Sequence, residues 1–473
     1  MISPTALAPQ LAEYLPRQRW FGAKDRKIDF VRIRSTEVLS GEGEWPVLLR
    51  VDAEVHLEGT DDARYQVFLG LRPTGVDLDF LSGHETAVLG EFDTAQGSAL
   101  VYDALLDSEL ALTLLRVVAP DLAAERVRPL GAEQSNTSLV YDDHMILKVF
   151  RRLTEGHNPE VEVIETLARV GFTAVPEPLA SWRKDDVDLA FLQRFLAGAT
   201  DGWNMALTSL RELFAEFTIG AQPPPGDAIG AGGMPFEATD PAEARGDFAA
   251  EAERIGEVTA EMHLAMARGF GCTRVKGADW ADLMEEQLER VLGPGDARLR
   301  DRARRIIIRL REIPDPGPAI RVHGDYHLGQ VLRTDTGWFI LDFEGEPARP
   351  LEERTRPSSP LKDVSGMLRS FSYAPAVALS YQEDDMTELG RTWEHRNRDA
   401  FLSGYLRKAQ YDPDSGQESI LPTDPAVRSA VLAAFELDKA LYEVAYERAN
   451  RPDWARIPLE AVTRLTSEAA RTA

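Results

Sequence analysis

The stretch HGDYHLGQVLRTDTGWFILDFEGEP, residues 323–347, sets two histidines, five acidic residues and a glutamine around a short apolar core. The turn residues TDTG between two apolar runs predict a β-hairpin. Asp325 and Gln330 lie before its first strand, and Asp342 lies at the end of its second. A hairpin returns its ends to one place, so three oxygen-bearing side chains converge at one mouth. Carboxylate and amide oxygens suit Mg²⁺, which keeps several waters and shares its remaining positions with substrate phosphates. Asp and Gln residues that merely cap a loop would explain an isolated H-G-D. They do not explain H-G-D, a glutamine five residues on and D-F-E after a hairpin.

This spacing resembles the phosphotransfer core of kinases, where one Asp orients and deprotonates the acceptor hydroxyl while an amide and a second Asp hold magnesium. The resemblance implies Asp325 as the base, Gln330 and Asp342 as ligands of Mg²⁺, and ATP as the donor. Glutamine replaces the asparagine of protein kinases, D-F-E replaces D-F-G, and neither H-R-D nor A-P-E is present. Those departures point to small-molecule kinases of the aminoglycoside-phosphotransferase type. Neither histidine is needed as a base. His323 is expected to anchor the loop, and His327 to contact either the acceptor or the loop.

An ATP site then has to lie upstream. Lys148 sits in the apolar strand ILKVF, on one face with Ile146 and Phe150, and needs a partner there. The helix that follows offers one. At about 100° per residue, Glu160 falls within the apolar arc of Val161, Val163, Ile164, Leu167 and Ala168, whereas Glu162 points away. An inward Glu160 is what the Lys–Glu pair of a kinase requires. Gln134, Ser135, Asn136, Thr137 and Ser138 read as a polar turn whose amides and hydroxyls could cover phosphates. An ordinary hairpin turn is the alternative. Backbone groups near Gln193 to Phe195, where a kinase chain crosses between lobes, are expected to bond adenine.

The elements that must position these residues follow from periodicity. A short helix over 5–15 precedes strand-like runs, which make residues 1–90 a β-rich cap. Further strand-like runs over 99–150, with Asp142-Asp143 as a hairpin turn, a helix with Asn158 as N-cap and Pro159 at its first position, and the strand DLAFLQRFL complete a lobe over 91–198. Residues 199–473 are mostly helical, and the Pro-, Gly- and Ala-rich stretch 221–246 reads as an exposed loop. The fold class is α+β. The net charge of −25 argues against nucleic acid or an anionic membrane as partner. One cysteine, Cys272, excludes an internal disulfide and is expected to be a small buried residue. With no basic n-region before an apolar run and no span of membrane length, a cytoplasmic location is expected.

Residues 321–373, together with RQRWFGAKDR, NPEVEV, TAEMHLAMA and DKALYEVAYERANRPDW, look very like the maltokinases. The resemblance covers most of the chain in order. It implies a bilobal protein-kinase-like fold with an N-terminal cap, phosphorylation of maltose at its anomeric hydroxyl by ATP, and a place in α-glucan synthesis with trehalose synthase as partner. It also places Lys439, Tyr442, Glu443 and Tyr446 at the acceptor. On a helical wheel these share an arc with Glu436 and Glu447. Taken by itself, that arc reads equally as a solvated face with pairs such as Lys439–Glu443. A kinase for an amino sugar such as glucosamine, or a catalytically silent partner of trehalose synthase, are the alternatives.

Overall fold

The structure, a computed structural model, describes residues 2–24, 26–59, 62–76, 78–131, 135–221, 247–346, 349–382, 385–409 and 419–469. Apart from Ala221, the stretch expected as an exposed loop lies outside them, as does Gln134. The chain divides into two compact units, Met1–Glu165 with Pro176–Ala197, and Thr166–Val175 with Gly198–Ala473. It has the mixed, kinase-like architecture expected, β-rich first and helical later.

In the first unit, helix Pro4–Tyr14 begins where the Ser3 hydroxyl accepts from the Ala6 amide, with Pro4 in the first turn. Its buried Leu7, Leu11 and Tyr14 recur at helical spacing and pack on an antiparallel sheet. That sheet runs Ile28–Ser40, Val47–Leu57, Ala63–Pro73, Gly97–Asp103, Val88–Thr94 in space, so it extends past residue 90. Strand Val47–Leu57 is buried on both faces: Leu49 and Val51 join the cluster under the first helix, and Leu48 joins a second cluster. Helix Ser108–Val118 fills that second cluster with Leu110, Ala111, Leu114 and Leu115. Strands alone were expected there. Yet Asp107, whose carboxylate accepts from the Glu109 and Leu110 amides, is a recognisable N-cap.

The second sheet of this unit runs Pro178–Lys184, Val187–Arg194, Met145–Phe150, Asn136–Tyr141, Val127–Leu130. Asp142 and Asp143 turn its central hairpin with φ of +50° and +57°, both in the left-handed region that a tight primed turn requires.

The second unit is built on helices that include Gly202–Ala221, Ala249–Phe270, Gly277–Val291, Ala297–Arg311, Leu361–Leu379, Thr387–Lys408, Pro425–Asn450 and Arg456–Ala469. Leu361–Leu379 and Thr387–Lys408 lack a clear apolar stripe, for opposite reasons. The first is buried almost all round, and the second is charged over much of its length. Hairpin Val331–Thr334/Gly337–Ile340 forms as expected, with Thr200–Asp201 as a third strand. Cys272 is exposed rather than buried. It follows Gly271, which ends helix Ala249–Phe270, and so lies outside that helix's buried face.

One glycine fixes how the hairpin's approach loop packs. A Cβ at Gly366 would lie 2.5 Å from the Tyr326 carbonyl oxygen. Gly366→Ala is expected to cost about 1–3 kcal/mol, read as a lower urea midpoint at unchanged m-value.

Candidate active site

Within the first unit, Lys148 stands in the middle of its sheet, opposite Ser138 on one neighbouring strand and Phe191 on the other. Its Nζ donates to Glu160 Oε2 at 2.6 Å, and both side chains are largely buried, at 12% and 4% exposure. Glu160 is aimed inward because Asn158 starts the helix, its Oδ1 accepting the Glu160 amide at 2.9 Å. A buried, hydrogen-bonded ion pair at this position fixes an ammonium beside the strand.

The neighbouring turn is shorter than expected. Asn136, Thr137 and Ser138 already belong to a strand, paired with Phe150, Val149 and Lys148. Ser138 is buried, and the Thr137 hydroxyl accepts from Arg151 Nε at 2.8 Å. Ser135 precedes that strand. Gln193 is buried opposite Ile146, and Phe195 carries Arg128 over its ring. The amides of Arg194 and Phe195 donate to the Glu177 and His144 carbonyls, so those two N–H groups are already committed within the protein.

Within the second unit, the loop before the hairpin is held by one buried carboxylate. Asp363, in the first turn of helix Leu361–Leu379, accepts from the His323 amide at 2.7 Å, the Gly324 amide at 2.9 Å and His263 Nε2 at 3.0 Å. Gly324 takes φ +91°, where a side chain would be strained. Burial pushes the Asp363 carboxyl up, but its hydrogen bond and charge contact with His263 and the His323 contact outweigh this and hold it low. His323 accepts the Asp325 amide on Nδ1 and donates from Nε2 to the Leu341 carbonyl at 2.8 Å, an assignment set by those partners. It is the loop anchor expected.

Gln330 directly precedes the first hairpin strand, and Asp342 follows the second with φ +62°. Gln330 Nε2 donates to Asp342 Oδ2 at 3.0 Å, so the amide and carboxylate meet as the hairpin requires. Both are hard donors, and rotation of the amide would turn its oxygen to the same side. The pair fits a Mg²⁺ ion in chemistry.

Asp325 meets the long helix Pro425–Asn450. Lys439 Nζ donates to Asp325 Oδ1 and to Glu346 Oε1, each at 2.8 Å. Burial raises the Asp325 carboxyl, but Lys439, His327 and His323 overcome that and bring it to about 2. Burial, foremost, lowers the His327 imidazole against the pull of Asp325, and its Nδ1 accepts the Gly329 amide.

Lys439→Met should therefore raise the Asp325 carboxyl, because burial and Glu346 are then opposed by His327 and His323 alone. The protonated fraction at mildly acid pH would rise. The measurement is the acid limb of kcat/KM, which should move into an accessible range in the variant and be absent from it in the parent.

The glutamates of the arc are largely buried against cations and do not form the Lys439–Glu443 pair. Glu443 accepts both Nε and Nη2 of the buried Arg369 at 3.1 and 2.8 Å, not Lys439. Glu436 takes the Arg398 fork, and Glu447 takes Arg451 and the Tyr373 hydroxyl. Tyr442 and Tyr446 stack with ring centres 6.5 Å apart, and Lys439 Nζ lies 4.7 Å from the Tyr442 ring centre. Tyr446 remains 43% exposed, an aromatic surface open to a ligand. Asp363, Glu346 and Arg369 were not foreseen, since their partners lie far along the chain. The only local sign was the second acidic residue of EGEP.

Comparison with known proteins agrees with this architecture. Residues 14–107 match the maltokinase N-terminal cap domain, and residues 231–417 match the phosphotransferase enzyme family. A glucosamine kinase of Mycolicibacterium smegmatis is 28% identical over 73% of this chain and 81% of its own length. One from Streptacidiphilus jiangxiensis is 28% identical over 72% and 74%. Among solved structures, a glucosamine kinase in complex with glucosamine, ADP and inorganic phosphate superposes with a TM-score of 0.64 at 23% identity, covering 92% of this chain and 93% of that one. A second glucosamine kinase structure gives 0.66 at 22% identity over 96% and 99%. Among the described residues, no helix is long and apolar enough to cross a membrane. One stretch of the chain matches a maltokinase-type cap and another the phosphotransferase enzyme family, and its fold is shared with glucosamine kinase structures; the chain is a kinase-type phosphotransferase.

Proposed function

We propose that the chain transfers the γ-phosphoryl group of ATP to a hydroxyl of a small neutral sugar, with the anomeric hydroxyl of maltose as acceptor. The observation that carries the sugar-kinase reading is Asp325, held by its loop beside the Gln330–Asp342 pair's hairpin and under Lys439. Lys148, fixed by Glu160, binds nucleotide phosphates. Mg²⁺ on Gln330 and Asp342 would neutralise phosphate charge. Asp325 orients the acceptor hydroxyl and takes its proton as the oxygen attacks phosphorus. A carboxylate as weakly basic as this one suits a loose transition state, in which the proton leaves late and positioning does most of the work.

The carboxylates support a neutral acceptor. Recognition of an amino sugar needs a carboxylate aimed at the ammonium group. All four on residues 436–447 already face cations: Glu436 faces Arg398, Asp438 faces Arg349, Glu443 faces Arg369 and Glu447 faces Arg451. The stacked Tyr442 and Tyr446 suit the C–H face of a sugar.

Glucosamine is the second reading, favoured by the names of the two relatives at 28% identity. ADP release with Mg-ATP and maltose, glucose, glucosamine, trehalose or kanamycin separates them, with the phosphorylated position read by NMR. Maltose-dependent turnover yielding a 1-phosphate is expected. Turnover with glucosamine alone would replace the acceptor and keep the transfer chemistry. No turnover with any of them would overturn the kinase reading for these sugars.

A further inference from the structure

Glu346 takes no part in the transfer described above, yet it is 2% exposed. Its oxygens are divided: Oε1 accepts from Lys439 at 2.8 Å, and Oε2 accepts from Arg349 Nε. The same Lys439 ammonium donates to Asp325 at 2.8 Å. One buried cation therefore bridges a carboxylate that changes charge during turnover and one that does not.

The step itself requires this. The acceptor oxygen forms its bond to the γ-phosphorus, while the bond from that phosphorus to the bridging oxygen breaks with its electron pair leaving on ADP. The hydroxyl proton passes to Asp325, which becomes a neutral acid. Lys439 then loses one anionic partner while still buried, and a buried cation without a counter-charge is strongly disfavoured. Building on the assignment of Asp325 as proton acceptor, we propose that Glu346 is a positioning residue for phosphoryl transfer, holding the Lys439 ammonium in place while Asp325 passes from carboxylate to acid.

The groups facing this bridge are few. His323 and His327 face Asp325 from its own loop. Asp438 and the Tyr442 ring face Lys439 from its helix. Lys362 and Arg349 face Glu346. Asp438 already shares Arg349 and accepts from Gln287 Nε2 at 2.9 Å, and its carboxyl is raised by burial, so it is a poor substitute for Glu346.

Glu346→Gln tests the proposal without stranding either cation, because Lys439 keeps Asp325 and Arg349 keeps Asp438. The variant should lose about 10²-fold in kcat, within the range of proton-transfer effects, at nearly unchanged ADP affinity. Glu346→Asp should recover part of the loss. The decisive comparison is made in the Lys439→Met protein. There Glu346→Gln should lower kcat no further, and it should move the Asp325 acid limb to lower pH by removing a neighbouring negative charge. A further proportional loss of kcat with an unmoved limb would mean that Glu346 only supports the fold, and would overturn the proposal.

Carbon-13 NMR of labelled aspartates, assigned with Asp325→Asn, reads the same carboxyl without turnover. If the parent phosphorylates no sugar, the function reading fails on that result alone. The Asp325 titration still tests the bridge, which falls if the two Lys439→Met proteins titrate alike.

Discussion

Asp325→Asn is expected to lower sugar phosphorylation by about 10²- to 10⁴-fold, the range that a lost general base commands. The effect is large because the change removes both the proton acceptor and the partner of Lys439 Nζ. Nucleotide affinity should hold. Lys148 and its partner Glu160, assigned to the phosphates, are distinct side chains from Asp325 and keep their own 2.6 Å bond. ADP affinity by calorimetry and ADP release in a coupled assay separate the two. A variant that keeps near-parental rates would remove Asp325 from the chemistry. One that loses ADP affinity in parallel would give it a binding role instead.

Asp363→Ala carries the largest expected stability effect, about 3–5 kcal/mol, as is usual when a buried charged partner is removed. The loss has three components on the page: the His323 amide, the Gly324 amide and His263 Nε2 all lose their acceptor in a site 1% exposed. Gly324 would also be released from its left-handed conformation. A urea titration should show the lower midpoint, and kcat should fall because the loop carrying Asp325 is no longer held.

The pH dependence has a definite sign. Asp325, Glu346 and Asp363 all have carboxyls below their ordinary values once folded, against the opposing push of burial. The stability they contribute is complete above the unfolded value near about 4 and is lost as pH falls through the lower folded values. Acid unfolding of Asp363→Ala should therefore be less steep than that of the parent.

What could be seen in the sequence was what local geometry encodes. Asn158 and Pro159 fix where a helix starts, so the inward direction of Glu160 could be computed before its partner was known. TDTG fixes a two-residue turn, so Gln330 and Asp342 had to meet. The side chains that hold the site are of another kind. Asp363 reaches back 39 and 40 residues to two loop amides, and Arg369 reaches forward 74 to Glu443. No periodicity links such positions, and the helix that carries both is buried nearly all round, which erases the stripe that would have marked it. The charged arc of helix Pro425–Asn450 was ambiguous for a related reason. Its charges resemble a solvated face until the arginines that cover them are located.

That arc also determines which parts of helix Pro425–Asn450 can be altered. Glu436 is tied to Arg398, Glu443 to Arg369 and Glu447 to the Tyr373 hydroxyl, all on other helices, and rotating the helix or sliding it by one turn would separate all three together. Libraries aimed at a new acceptor should leave those glutamates untouched. Tyr446 is 43% exposed, and its ring meets Tyr442 and the Arg451 guanidinium at the end of its own helix, so substitutions there leave the pairs to other helices, and with them the register, in place.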